Sequence, residues 1–120
     1  MSNRRKRTSD LTRAVIDLCT VYGGYAFRTS NQPRIDRKTG KAFFPDKRSV
    51  GMPDILAFMP HGVVLAIEVK VSPDKIRPTQ QAFAAELAKR DHNYILVSDT
   101  IDILRGVLYY GKKITKKEEK

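Results

Sequence analysis

The sequence predicts a single mixed α/β domain in which helices cover a central mixed β-sheet. Helical and strand-like hydrophobic periodicities alternate along the chain, and 120 residues with 41% hydrophobic side chains suffice for one core. The predicted order of elements is α-β-β-β-α-β-α. We expect residues 1–8 to form a basic disordered N-terminus, residues 9–111 to form the domain and residues 112–120 to form a basic C-terminal tail.

The first helix is predicted from apolar residues at spacings of three and four. It is expected to begin after a cap at Thr8 or Ser9 and to end at Gly23-Gly24. Cys19, the only cysteine, lies within this apolar pattern. We therefore expect a buried thiol and neither a disulfide nor a metal cluster.

The rest of the chain predicts four strands and two further helices. Residues 25–29 indicate a short strand, whose Tyr25 and Phe27 are expected to pack in the core. Residues 30–51 indicate a basic polar loop or hairpin, in which Phe43 or Phe44 could stack on an unpaired base or lie between subunits. The later elements are two paired strands, a helix, a strand and a short helix, at Asp54–Met59, Val63–Val71, Thr79–Arg90, Tyr94–Val97 and Thr100–Leu108.

The charge of the chain favours a polyanionic partner. Lys and Arg total 23 against 13 Asp and Glu, for a formal net charge of +10. Candidate phosphate contacts lie in or beside the basic loop, although a solvated loop would also explain them: Arg28, Lys41, Lys47 and Arg48. Because no apolar run has the length of a signal peptide or a membrane span, we expect a cytoplasmic protein with no membrane contact.

Glu68 and Lys70 carry the main chemical signal. They are two apart on a predicted apolar strand and so share one face of the sheet. Asp54 begins the paired strand, where its carboxylate can approach Glu68. Two carboxylates and a backbone carbonyl suit Mg²⁺, which can activate water for phosphodiester hydrolysis. Lys70 could hold or deprotonate that water or stabilise the phosphate; the alternative for the cluster is a structural ion pair.

Pro53-Asp54 and Glu68-Val69-Lys70 resemble the two halves of the PD-(D/E)XK nuclease motif. Within that superfamily they resemble the VRR-NUC type, which is similar to small Holliday-junction resolvases. The segments Ala26–Arg28 and Arg77–Phe83 resemble the family's flanking segments, so the resemblance covers roughly residues 9–97. It implies a restriction-endonuclease-like core and metal-dependent cleavage of DNA.

The resemblance also implies an assignment of site residues. Asp54, Glu68 and the Val69 carbonyl would hold Mg²⁺ or Mn²⁺, Lys70 would be catalytic and Gln80 would lie near the site. Relatives usually carry a glutamate on the first helix that completes the metal site, whereas this chain places Thr8 at or near that position. Asp10 is the nearest acidic substitute, with Asp17 two turns further along; stabilisation of the helix N-terminus explains Asp10 equally well.

The predicted function is a Mg²⁺- or Mn²⁺-dependent DNA endonuclease. The chain has no obvious base-reading module, so we expect selectivity for DNA shape, such as junctions, flaps or branches. By analogy with related resolvases, we expect a homodimer, without a small-molecule cofactor, acting in DNA recombination in a bacterial or phage-infected cell. The alternatives are a non-catalytic nucleic-acid-binding protein and a nuclease subunit of a larger replication or recombination assembly.

Overall fold

The structure, a computed structural model, describes residues 2–29, 34–43 and 46–109. Its helices are α1 (Ser2–Val21), α2 (Pro78–Ala88) and α3 (residues 102–109). Its strands are β1 (Tyr25–Arg28), β2 (Arg34–Ile35), β3 (Ala42–Phe43), β4 (Ile55–Met59), β5 (Val63–Lys70) and β6 (Asn93–Ser98). The predicted C-terminal tail, residues 112–120, lies outside the described residues.

The main sheet has the strand order β1-β4-β5-β6. The pairs β1–β4 and β4–β5 are antiparallel, whereas β5 and β6 are parallel and are connected through α2. The predicted mixed α/β class with a central mixed sheet is therefore confirmed. The basic loop contains a small separate hairpin, β2–β3, which the sequence suggested only as one of two possibilities.

The two faces of the main sheet are covered by different helices. Ile55, Ile67 and Ile95 are in register on neighbouring strands and pack against α1 and α3 in the hydrophobic core. We call this side the α1 face. The opposite side, here the α2 face, carries Glu68 and Tyr94, because side chains alternate along each strand.

Cys19 lies in the core between α1 and the sheet. Its side chain is fully buried, and burial raises the pKa of the thiol to about 11. The thiol therefore stays neutral and behaves as a small apolar side chain. The prediction of a buried core cysteine is confirmed.

The N-terminus differs from the prediction, because α1 begins at Ser2 and residues 2–8 are helical. The basic residues in this stretch are good helix formers and continue the helix without an apolar face. They also contact the loop after β5: Arg4 forms an ion pair with Asp74 at 3.5 Å, and Arg7 donates a hydrogen bond to the Ser72 carbonyl at 3.5 Å. The predicted cap at Thr8 or Ser9 was therefore wrong.

The prediction that Tyr25 and Phe27 pack in the core is also wrong. Their side chains are 72% and 37% exposed, whereas Ala26 between them packs against the core cluster. The alternation in β1 is real, but it directs the aromatic rings to the α2 face. Since β1 is an edge strand and α2 packs near β6, none of the described helices covers that part of the face.

Candidate active site

Asp54 and Glu68 meet on neighbouring strands of the main sheet. Asp54 immediately precedes β4, and its Oδ2 atom accepts a hydrogen bond from the Val69 backbone N–H at 2.9 Å. Two hydrogen bonds from Thr29 hold the turn that carries Asp54: its N–H donates to the Asp54 carbonyl at 2.9 Å and its hydroxyl donates to the Pro53 carbonyl at 2.5 Å. The Asp54 carboxylate also interacts directly with the Glu68 carboxyl, so the two acids approach each other as the sequence predicted.

Glu68 has no exposed surface. The Gln80 side-chain amide and the Tyr94 hydroxyl both donate hydrogen bonds to its Oε2 atom, the latter at 3.2 Å. The Oε1 atom is also buried, and it has no hydrogen-bond partner in the described part of the chain. A buried carboxylate oxygen without a donor is costly, so this atom is available to a proton or a cation.

The surroundings of Glu68 favour its protonated form. Burial raises the pKa of this carboxyl to about 8, and the adjacent Asp54 adds to the rise, because it accepts a hydrogen bond only from the protonated form of Glu68 and repels the charged form. The positive charge of Lys70 and the hydrogen bond from Tyr94 oppose this rise. Two carboxylates that disfavour a second negative charge are a common preparation for a cation site.

Lys70 lies two residues beyond Glu68 on the same face of β5. It is half-buried, and no ion pair joins it to a carboxylate within residues 2–29, 34–43 and 46–109. Its charge reaches Glu68 only through space. The ammonium group therefore remains available to a ligand at the end of the strand.

Gln80 links α2 to the buried carboxylate. Its side-chain oxygen accepts a hydrogen bond from the Arg77 backbone N–H at 2.8 Å, as part of a capping box at the start of the helix. Its amide nitrogen donates to Glu68. One side chain thus closes the helix terminus and orients the carboxylate, in agreement with the predicted position of Gln80 near the site.

Gly51 allows the start of α2 to approach the Pro53-Asp54 turn. It has a positive φ of 86°, and a Cβ atom at this position would overlap the Thr79 carbonyl oxygen at the start of α2. Its own carbonyl accepts a hydrogen bond from the Tyr94 hydroxyl at 3.4 Å. A residue without a side chain is therefore required for the close contact between the Pro53-Asp54 turn and α2.

Asp10 is not brought to the carboxylate pair. It is exposed on α1, and the described residues contain no group of three His, Cys, Asp or Glu side chains able to hold a metal. Asp17 is exposed as well. The fold leaves Thr8 and Thr12, not an acid, on the side of α1 that turns towards β1, and both line a cleft there.

That cleft is strongly basic and has a volume of about 600 Å³. It lies between the start of α1, the end of β1 and the loop after β5, and its charged lining consists of Arg4, Arg5, Lys6, Arg28 and Asp74. Arg28 is in register with Ile55, which follows Asp54, so the cleft lies at the same end of the sheet as the carboxylate pair but on the α1 face. We refer to it below as the basic cleft.

The other predicted phosphate contacts lie in the β2–β3 region. Lys41 and Arg48 are exposed, and no hydrogen bond among the described residues joins either of them to the carboxylate pair. Arg48 lies 3.8 Å from Asp46 in a solvated ion pair. Lys47 begins a short 3-10 helix, Lys47–Ser49, but its side chain is outside the described residues.

Tyr94 and the basic N-terminal residues are parts of the site region that the sequence did not indicate. The signal for Tyr94 was its position: it is two residues before Leu96 on a strand paired with β5, which places its hydroxyl on the face of Glu68. Arg4 and Arg5 gave no such signal, because their location depends on a helical stretch that has no apolar stripe.

The sequence and the fold both match a known family. The model of the VRR-NUC domain family matches residues 31–98, and the chain therefore belongs to this family, within the PD-(D/E)XK nuclease superfamily. A solved structure described as a VRR_NUC domain is 19% identical and superposes with a TM-score of 0.62, over 86% of this chain and 95% of that one. That similarity shows the fold. No curated protein matches the sequence significantly.

Family membership indicates nuclease activity, with DNA as the expected class of substrate. The segment matched by the family model contains Asp54, Glu68, Lys70, Gln80 and Tyr94. Across the described ranges, no helix combines the length and apolar composition needed to cross a bilayer.

Proposed function

We propose that this protein is a Mg²⁺- or Mn²⁺-dependent endonuclease that hydrolyses phosphodiester bonds in branched, flap or junction DNA. The observation that carries the proposal is the buried carboxyl of Glu68. Its Oε1 atom has no hydrogen-bond donor among the described residues, and its neighbour, Asp54, is a second carboxylate. Such a pair binds either a proton or a cation. A purely structural ion pair would instead place a basic group in contact with Glu68.

The residues present fit a hard divalent cation. Asp54 and Glu68 would supply carboxylate oxygens, and the Val69 carbonyl is the third candidate ligand. The chemistry supplied by a divalent ion bound there would be activation of a water nucleophile and neutralisation of charge on the phosphate. Since the described residues offer only two acids at this position, we propose that water completes the ligand set, and Asp10 is not needed in it.

The chain's own residues would divide the remaining work. Gln80 and Tyr94 hold Oε2 of Glu68 by hydrogen bonds, which leaves Oε1 free for a ligand. Lys70, beside it on β5, would position the attacking water, remove its proton or stabilise negative charge on the phosphate. The basic cleft, on the α1 face at the same end of the sheet, would bind backbone phosphates farther along the DNA.

We expect labelled flap or four-way-junction DNA to be cut in Mg²⁺ or Mn²⁺ and to remain intact in EDTA. The measurement compares these substrates with linear duplex, and Glu68→Ala serves as the inactive reference, because it removes a proposed metal ligand. Cleavage that persists in Glu68→Ala would contradict the proposed site. Binding without cleavage in every metal would support the alternative of a non-catalytic DNA-binding protein.

The pKa of Glu68 predicts how stability depends on pH. Between its ordinary pKa of 4.5 and the folded value of about 8, only the folded state keeps the proton. In EDTA the free energy of unfolding should therefore fall as pH rises from about 5 to 8. At about 1.4 kcal/mol per pH unit the upper limit is about 5 kcal/mol, and we expect roughly 2 kcal/mol because Asp54 is open to solvent.

A bound cation would replace this proton, so stabilisation by Mg²⁺ should increase over the same pH range. Thermal or denaturant unfolding from pH 5 to 9, with EDTA or Mg²⁺, measures both effects. Glu68→Gln is the control, because it keeps the shape of the side chain but cannot titrate. Equal Mg²⁺ stabilisation at pH 6 and pH 8.5 in the wild type would be inconsistent with a cation bound at Glu68.

Arg5→Glu should weaken DNA binding and make it less sensitive to salt, because Arg5 lines the basic cleft. For each phosphate that the variant no longer neutralises, the slope of log K against log salt should become shallower by about 0.9. Arg13→Glu is the matched control: it makes the same charge change on the same helix, at an exposed position outside the cleft lining. Equal effects of both substitutions would mean that only net charge matters.

Two finer parts of the proposal rest on analogy with related resolvases. A homodimer would place two sites on the two strands of a junction, and the expected setting is recombination in the cytoplasm of a bacterial or phage-infected cell. Sedimentation equilibrium measures whether the chain forms a homodimer. If activity appears only after mixing with another protein, the chain is instead a nuclease subunit of a larger assembly.

A further inference from the structure

Three exposed aromatic rings lie together on the α2 face of the main sheet. The centroids of Tyr25 and Phe27 are 5.6 Å apart, and those of Phe27 and Phe58 are 6.0 Å apart with the rings nearly parallel. Tyr25 is 72%, Phe27 37% and Phe58 47% exposed. We refer to these three residues as the aromatic row.

Strand register places the aromatic row next to the carboxylate pair. Tyr25 is opposite Phe58, and Phe27 is opposite Leu56, which is two residues from Asp54 on the same face. Two residues of strand span about 7 Å. Phe27 therefore lies about one nucleotide step from Asp54 along the strand direction, and Phe58 and Tyr25 lie about one further step away on the same face.

The helices described here do not cover this part of the face. α2 packs on the same side near β6, where Phe83 contacts Tyr94 with ring centroids 6.2 Å apart. At the opposite end, over β1 and β4, the described residues leave the face open, and clustered exposed rings on a sheet usually mark a binding surface. A ligand that binds here must interact with aromatic rings and must lie next to the carboxylate pair.

Charge distinguishes the two obvious occupants. A formal net charge of +10 attracts a polyanion to this surface but gives a second copy of the chain no electrostatic attraction to it, so the proposed homodimer would pair through another surface. Aromatic rings on a basic protein are a common surface for unpaired bases, since every base has a π face. In a duplex, by contrast, the bases already stack on one another and offer no face to a ring.

We propose that the aromatic row stacks on unpaired bases of the DNA substrate and guides a single-stranded segment to the carboxylate pair. The inference rests on the proposed nuclease function and refines its substrate: the strand that enters the site has unpaired bases next to the bond that is cut. Tyr25, on the edge strand, would contact the base farthest from the site.

Binding without cleavage tests this inference separately from the activity. In EDTA, the affinity for a fluorescent oligo(dT) is compared with that for an abasic oligonucleotide of the same length, which has the same phosphates but no bases. We expect the wild type to prefer oligo(dT), and Tyr25→Ala or Phe58→Ala to weaken oligo(dT) binding about tenfold with little change for the abasic strand.

Two variants control for folding and for general loss of exposed apolar surface. Tyr25→Phe keeps the ring and should bind oligo(dT) like the wild type. Ile103→Ala removes an apolar side chain that is 61% exposed on α3, away from this face, and should leave oligo(dT) binding unchanged. Thermal unfolding of each variant shows whether the fold is retained.

Three results would overturn the inference. Equal weakening of oligo(dT) and abasic-strand binding would assign the effect to charge or folding, and unchanged binding in Tyr25→Ala and Phe58→Ala would exclude stacking. If the wild type is a dimer and Tyr25→Ala is a monomer, the aromatic row is an interface between two copies of the chain. Because these measurements need no cleavage, an inactive protein would contradict the proposed function alone.

Discussion

Replacing Lys70 by Met should reduce DNA cleavage by about 1000-fold or more while DNA binding stays within a fewfold of the wild type. Lys70 is half-buried beside Glu68 and forms no ion pair with a carboxylate of the described residues. Its charge is therefore available to act on the substrate. Methionine keeps most of the aliphatic stem and removes only the charged group. Single-turnover rates with saturating metal measure the chemical step directly.

Lys70→Arg separates the possible roles of this residue. Arginine keeps the positive charge but cannot accept a proton from water near neutral pH. If Lys70 acts by electrostatic stabilisation, Arg should recover a substantial part of the activity; if it removes the proton, Arg should be as poor as Met. Full activity in Lys70→Met would exclude both roles.

Gly51→Ala should destabilise the protein by about 2–4 kcal/mol and also impair cleavage. The added Cβ atom would overlap the Thr79 carbonyl at the start of α2, and the positive φ of 86° is itself unfavourable for alanine. Movement of α2 would displace Gln80 from Glu68. Urea unfolding and cleavage rates of the same preparation measure the two effects.

Gly40→Ala provides the matched control for this prediction. Gly40 also has a positive φ, 72°, but no atom of the described residues lies within 4 Å of a Cβ built there. We therefore expect a destabilisation of only about 1 kcal/mol and normal cleavage. Similar destabilisation at both positions would show that backbone conformation, not the contact with α2, determines the effect at Gly51.

The class of fold and the centre of the site could be predicted because their signals are local. The strand containing Glu68 and Lys70 is strongly apolar, and alternation alone places both charges on one face. Asp54 stands at the start of the strand that pairs with the Glu68 strand, so the two acids were expected to meet at that end of the strand pair. Gln80 was placed by family resemblance, and its contact with Glu68 agrees with that position.

What the sequence did not reveal depends on tertiary packing. Alternation in Tyr25 and Phe27 predicts a common face but not which face is covered, because coverage depends on where α2 packs. Likewise, helical residues 2–8 have no apolar stripe; their contacts with Ser72 and Asp74, far along the chain, become visible only in the folded protein.

The β5–α2–β6 crossover has a consequence for how this site can vary among relatives. Glu68, Gln80 and Tyr94, which share the hydrogen bonds around the buried carboxyl, all belong to this one continuous segment. Insertions in the β2–β3 hairpin or extensions of α1 would leave these bonds untouched. The acid network can therefore be inherited as one block, while the surrounding segments diverge to suit different DNA shapes.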